Sequence, residues 1–190
     1  MEALDALLNR VSAPRLCEPA PDHGQRELLF RAALRAPDHG QLRPWRFLTV
    51  EGEARERLGE LLVEAVLADN PAAPAEALSK ARGMPLRAPL LVVVIARPQA
   101  HPKVPQQEQV LAAACAAHAI LLAAYAQGIG AVWRTGELSY SPRVAAGLGL
   151  ADGEQVIAFL YLGTPERELR VAPALDPADF VSAWSAPTLS

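Results

Sequence analysis

An α+β fold, with a few strands covered by dominant helices, is what this chain predicts, and three stretches carry the prediction. Pro89 to Ala96 (PLLVVVIA) is a continuous apolar run rich in β-branched residues, the pattern of a strand covered on both faces. Glu154 to Leu162 (EQVIAFLYL) is a second strong strand. Val110 to Ala126 (VLAAACAAHAILLAAYA) is almost wholly apolar, yet it is built of alanine and falls short of the roughly 20 residues that span a bilayer. A helix apolar all round is buried on all sides, so this one reads as the central helix of a soluble core that a partner subunit can share. Cys115, inside it, reads as a small buried thiol.

The remaining elements follow in order. A first helix is expected from Ala3 to Arg10, with Leu4, Leu7, Leu8 and Val11 on one face at helical spacing. A second begins after Asp22, where Asp22 and Gln25 form a capping box, and runs to about Arg35 with Leu28, Leu29, Ala32 and Ala33 inward; Pro37 ends it. Arg46 to Glu51 alternates as a strand does. Glu53 to about Ala68 is helical, Asn70 to Pro74 breaks it, and a short helix follows to Arg82. Ala100 to Gln107 is a proline-interrupted loop before the long helix of Gln107 to Gln127. Gly128 and Gly130 stop that helix, and Ala131 to Trp133 resumes as strand or loop. Ser141 and Pro142 form an N-cap and first turn for a helix to about Leu148. Past Gly163 the chain is proline-rich and polar. Residues 1–190 therefore read as one domain, with about 164–190 an extended C-terminal arm.

Composition excludes several classes. The 190 residues carry a net charge of −3, which argues against a large basic face for nucleic acid or acidic lipid. Charged residues at 21% and hydrophobic ones at 51% describe a globular chain, not a disordered one. Aromatics make up only 5%, so each core side chain buries little area and the core depends on close helix packing or a partner. Two cysteines, with no CxxC or Cys/His cluster, give no metal site and fit a reducing, cytoplasmic setting. The N-terminus lacks the basic flank and hydrophobic block of a signal peptide.

Four segments are too oddly composed for core. Asn9 to Arg15 holds two arginines and a hydroxyl, suited to gripping a phosphate, or else a solvated helix end. Arg35 to Trp45 packs two prolines, a glycine, His39 and Trp45 before a strand; it is a binding loop anchored by an aromatic, or a turn. No serine or cysteine nucleophile stands near His39, so a hydrolase triad has little support. Gly128 to Gly136 places glycines between helix and strand, the reverse of a dinucleotide fingerprint. Its Trp133-Arg134-Thr135-Gly136 could flank a flat charged ligand, or form a tight turn. Lys103 to Gln109 is a helix N-terminus with Glu108 on the positive end of the dipole.

Together LLNRVSAPRL, RAPDHGQLRPWRF, AAACAAHAILLAAYAQGIGAVWRTG and FLYLGTP resemble the FMN-dependent nitroreductase family, in its YdjA-like subgroup, over nearly the whole chain. The resemblance implies a nitroreductase-like fold with a central mixed β-sheet flanked by helices, an intertwined homodimer, and FMN at the subunit interface. It places Arg10 and Ser12 on the FMN phosphate and ribityl end, with Val11 contributing backbone. Arg35 and His39, near Pro37 and Gln41, would approach the flavin across the interface; Trp133, Arg134 and Thr135 would complete its pocket. Backbone N–H groups around Thr135 and Gly136 would reach flavin N5, and NADH or NADPH would lie against Ala123, Ala124, Tyr125, Ala126, Gln127 and Gly128. Where the subgroup has a basic pair, this chain has Arg10-Val11; Arg167 or Arg170 in the arm could supply the missing contact. The implied activity is two-step transfer of hydride from NAD(P)H through flavin N5 to an electron-poor acceptor such as a nitroaromatic or quinone, with no catalytic side chain. The alternatives are a flavin-binding sensor or carrier with little turnover, and a cofactor-free dimeric scaffold.

Overall fold

A computed structural model of the chain describes residues 1–184; the last six residues of the expected arm lie outside them. Helices α1 (Ala3–Asn9), α2 (His23–Ala33), α3 (Glu53–Asp69), α4 (Ala75–Gly83), α5 (Gln106–Ala126) and α6 (Pro142–Gly147) surround strands β1 (Leu16–Cys17), β2 (Trp45–Glu51), β3 (Leu90–Ala96), β4 (Gly130–Arg134) and β5 (Gln155–Pro165). The main ladder runs β4-β5-β3-β2, and β1 pairs with the end of β5. All pairings within the described residues are antiparallel, whereas the resemblance implied a mixed sheet. The single chain contributes no parallel crossover to it.

Strand β3 decides the layering. Each of its seven residues is buried, and alternate side chains serve opposite faces. Leu90, Val92, Val94 and Ala96 pack with Ala112, Ala113, Ala116, Ala117, Ile120 and Ala124 of α5. Leu91, Val93 and Ile95 pack with Leu58, Leu62, Val63 and Ala65 of α3. Two cores thus share one strand, and the alanines of α5 let its axis approach the sheet.

Several sequence expectations hold at the level of atoms. The Gln25 amide donates to Asp22 Oδ1 at 2.8 Å and the Asp22 amide to Gln25 Oε1 at 2.9 Å, completing the capping box. Pro142 occupies the first turn of α6 behind Ser141, though the serine side chain makes no cap bond. The stretch after Gly128 is a strand, and β5 continues through Thr164 and Pro165, which pair with Cys17 and Leu16. The tail therefore starts two residues later than its composition suggests. The two-residue β1 gave no signal in the sequence.

Three burial expectations are corrected. Leu4, Leu7 and Leu8 of α1 are 67%, 55% and 72% exposed, and only Ala6 of that helix is buried. Leu28 of α2 is exposed rather than inward. Helix α5 is buried on one side only: Leu111, Cys115 and His118 are exposed and Leu122 half-buried, in one stripe along its outer face. A single chain offers α5 one sheet face, so an all-round apolar helix must leave the other side bare. By length and composition α5 could cross a membrane, but its inner face is spent on the sheet core.

The open end of β3 is held by charge. Glu154, 8% exposed at its side chain, receives Arg46 Nε at 3.0 Å, Arg46 Nη2 at 2.7 Å, Arg97 Nε at 2.9 Å and the Ala151 amide at 3.0 Å. The Arg46 hydrogen bonds, outweighing burial and helped by Ala151 and Arg97, lower its pKa from 4.5 to about 2. A carboxylate with a depressed folded pKa stabilises above its unfolded pKa and loses that stabilisation as pH falls through the folded value. Glu154→Gln should therefore cost about 2–3 kcal/mol at pH 7 by urea unfolding. The gap to the unsubstituted protein should narrow below about pH 4.5 and close near pH 2.

Candidate functional site

The first and third odd segments meet. The Ala13 amide donates to Ala131 O at 2.9 Å, laying the Arg10–Arg15 stretch along the outer edge of β4. Gly130 permits this: a Cβ there would run into Leu16, Pro165 and Ala13. Arg134 Nη2 reaches Pro14 O at 3.4 Å, so the arginine sits between the two segments. Arg10 and Ser12 are half-buried and Val11 is buried at 7%.

Two cavities open on the joined segments, and Arg134 lines the second of them. One, of about 450 Å³, is lined by Ser12, Arg15, Arg167 and Arg170 with Glu168 among them. The Glu166 amide donates to Arg15 O at 3.3 Å, which carries the start of the tail across the N-terminal segment. Both arm arginines named from the sequence are thus beside the serine, with Arg15 as a third cation. Guanidinium forks and a hydroxyl around one void suit a phosphate. The other cavity, of about 700 Å³, is lined by Trp133, Arg134, Thr135 and Gly136 at the end of β4, by Lys80, Met84 and Arg87, and by the carboxylates Asp69 and Glu137. Both volumes fall in the range of small-molecule sites, roughly 300–1,000 Å³.

Arg134 is unusual. Its guanidinium lies 5.6 Å from the Tyr161 ring centroid, and its Nε is buried with no acceptor among the described residues. A buried donor without a partner costs about 1–3 kcal/mol, so such a group in a cavity wall is a place for a ligand acceptor. Burial pushes the Tyr161 phenol above its ordinary pKa, against the opposing pull of Arg87 and Arg134, and keeps it neutral. Gly136, at φ 142°, turns the backbone out of β4, which leaves Thr135 and Gly136 exposed at the mouth. Lys80 and Arg87 were missed in the sequence. Their signal was two cations flanking Met84-Pro85 just before the buried strand, but a cation is ordinary at a helix end.

The second segment does not join them in one chain. Arg35 and His39 are exposed beyond the start of β2, and β2 and β4 form opposite edges of the ladder with β5 and β3 between. Three strand spacings separate those edges by about 14 Å. His39 Nδ1 instead pairs with Glu108 Oε2 at 2.8 Å, at the N-terminus of α5. Within the segment that the resemblance sets against the nicotinamide, Ala124 is fully buried, Ala123, Tyr125 and Gln127 are half-buried, and Ala126 and Gly128 are exposed. Only the outer side of that turn is open to a ligand.

The chain is an antiparallel sheet between helical layers, with a cleft of mixed charge at the end of β4. A family model described as the nitroreductase family matches residues 16–164. The chain belongs to that family, which is one of oxidoreductases. YdjA of Escherichia coli (strain K12), named as an NAD(P)H nitroreductase, is 43% identical over 183 residues, covering 96% of this chain and 99% of that one. The crystal structure of a nitroreductase-like family protein from Bacillus cereus superposes with a TM-score of 0.82 at 21% identity, covering 98% and 97% of the two chains. A Desulfovibrio desulfuricans nitroreductase solved in complex with FMN gives 0.72 at 20% identity, covering 98% and 99%.

Proposed function

We propose that the chain is an FMN-dependent oxidoreductase that moves hydride from NADH or NADPH to an electron-poor acceptor such as a nitroaromatic or quinone. The observation that carries the reading is a pair of cavities on the two segments that Arg134 links through Pro14 O: one suited to a phosphate, the other to a flat, electron-accepting ring beside Trp133. The orphaned Arg134 Nε, and Lys80 and Arg87 in the same cavity, suit a ring system that gains negative charge on reduction. The residues therefore fit FMN. When bound there, FMN would supply the hydride chemistry, and the protein supplies position and electrostatics. Ser12, Arg15, Arg167 and Arg170 would hold the phosphate and ribityl end, with Arg10 beside Val11 and Ser12 in the same segment; Val11 would offer backbone, Trp133, Arg134 and Thr135 would bound the ring, and the Thr135 and Gly136 amides would be the donors available to it. The nicotinamide donor lies against the outer side of Ala123–Gly128.

The working unit in this reading is a homodimer in the reducing cytoplasm, each copy one FMN-binding domain of residues 1–190 whose arm, from about residue 164, lies over the other. Two α5 helices packed antiparallel along the Leu111, Cys115, His118 and Leu122 stripe cover apolar surface that one chain leaves bare. That arrangement sets the N-terminal end of one α5, with Arg35 and His39 near it, against the C-terminal end of the other, which leads into β4. The exposed Val171, Leu175, Phe180, Val181 and Trp184 of the tail suit the same purpose.

The purified protein should be yellow, and anaerobic addition of NADH or NADPH should bleach its flavin absorbance; bound FMN that neither donor bleaches would make it a carrier. Arg10→Ala should weaken FMN binding about ten- to a hundredfold, since one charge-assisted contact is worth roughly 1.5–3 kcal/mol. Unchanged flavin content after extensive dialysis would remove Arg10 from the phosphate site. Leu111→Glu, at a 56% exposed position, should leave the protomer folded, halve the mass seen in sedimentation equilibrium and abolish FMN retention.

A further inference from the structure

The loop that carries His39 is held more tightly than a surface loop needs. Gly40, Gln41 and Arg43 have φ values of 76°, 54° and 50°, a left-handed conformation that glutamine and arginine seldom adopt. Asp38 holds the turn, accepting the Leu42 amide on Oδ1 at 3.2 Å and the Arg43 amide on Oδ2 at 2.6 Å. Gln99 Nε2 donates to Leu42 O at 3.3 Å, and Gln99 is itself fixed by Gln109. Gln109, 1% exposed, accepts the Gln99 amide and donates to Gln99 O, both at 2.9 Å. Its neighbour Glu108 pairs with His39 Nδ1 at 2.8 Å. Two successive residues of α5 thus brace one strained loop. Strain of this kind persists only where the surroundings over-determine it, and it gathers at functional sites.

The His39–Glu108 pair is itself half exposed, with side chains 60% and 47% accessible. An ion pair so placed adds little to stability, so stability does not account for it. Its geometric effect is specific. A carboxylate accepting from Nδ1 keeps the proton on that nitrogen and fixes the ring plane, leaving Nε2 as the outward atom. Nε2 has no hydrogen bond among the described residues.

We propose that Glu108 is the positioning residue for His39: its carboxylate holds the imidazole so that Nε2 faces the flavin cavity of the partner copy. This rests on the reading that His39 reaches FMN across a dimer interface. Asp38 and the Gln109–Gln99 pair set the loop backbone, and Glu108 sets the ring. Glu108 touches neither FMN nor acceptor and acts only through His39.

The test is a double-mutant cycle on the full-length protein, freed of flavin and titrated with FMN by fluorescence quenching. Glu108→Ala should weaken FMN binding about three- to tenfold, His39→Ala at least as much, and adding Glu108→Ala to His39→Ala should cost less than about twofold more. ¹⁵N spectra of the imidazoles, with His39 assigned by its loss in His39→Ala, should show the Nδ1–H form, and Glu108→Ala should shift that signal with the dimer intact. The proposal is overturned alone if the unsubstituted protein binds FMN while Glu108→Ala changes neither affinity nor tautomer. It is equally overturned if the Glu108→Ala cost persists without His39, or if that variant simply dissociates the dimer. An unsubstituted protein that takes up no FMN overturns the flavin reading, and this inference with it.

Discussion

Everything in the molecule is arranged around a strand that has no wet face. The side chains of β3 alternate between two cores, so helices must cover both sides of the sheet, and a partner strand must flank each edge of it. β2 and β5 fill those edges. β5 carries β4 on its far side, and the Ala13–Ala131 bond ties the N-terminal segment to β4. The candidate phosphate cavity and the candidate ring cavity exist because that chain of pairings ends at an open β4 edge, where Gly130 is small enough to admit the N-terminal segment.

The charge distribution at that edge runs against the chain as a whole. Net charge is −3, and several surface arginines are neutralised by glutamates: Arg26 by Glu51, Arg82 by Glu60, Arg143 by Glu64. Arg15, Arg134, Arg167 and Arg170 have no such ion pair among the described residues, although Glu168 lines the same cavity as three of them. Arg10, Arg35, Arg43, Arg55 and Arg87 are likewise without an ion pair among the described residues, so what distinguishes these four, together with Arg87, is that each lines a cavity. Arg134, with Nε buried and unmet, is the sharpest case. Structure alone gives no return for that donor, whereas an acceptor on a bound ligand does.

How much of this was legible in the sequence varied with the physics involved. The β3 run, the all-apolar α5 and the Asp22/Gln25 box could be read because burial and capping leave local patterns. The leucines of α1 and Cys115 were misplaced for one reason: periodicity reports that a helix has an apolar face, not which surface meets it. The paired length of β5 beyond Leu162 and the two-residue β1 depend on each other across the fold, so neither showed by itself. At the site, Arg10 to Ser12 and Trp133 to Thr135 stood out as local oddities, and resemblance to the family gave them roles. Lys80 and Arg87 did not stand out, because a cation near a helix end or a turn is unremarkable until the fold brings it to a cavity.

Once Arg35 and His39 are taken as site residues, as the resemblance implies, the distribution of site residues over the sheet argues for two copies. Arg35 and His39 lie past one edge of the ladder and the cavities past the other, with two strands and both cores between. No rearrangement of loops crosses that distance without opening a ladder in which every β3 residue is buried. The bare stripe on α5 runs between the same two regions, beginning one turn from Glu108 and ending one turn before the end of α5, which leads into β4. In the proposed homodimer a twofold axis through that stripe would cover Leu111 and Leu122 and would carry His39 toward the other chain's cavities. The same contact that completes the core of α5 would thus complete the site, which is why a chain with so few aromatic residues can leave its longest helix half bare.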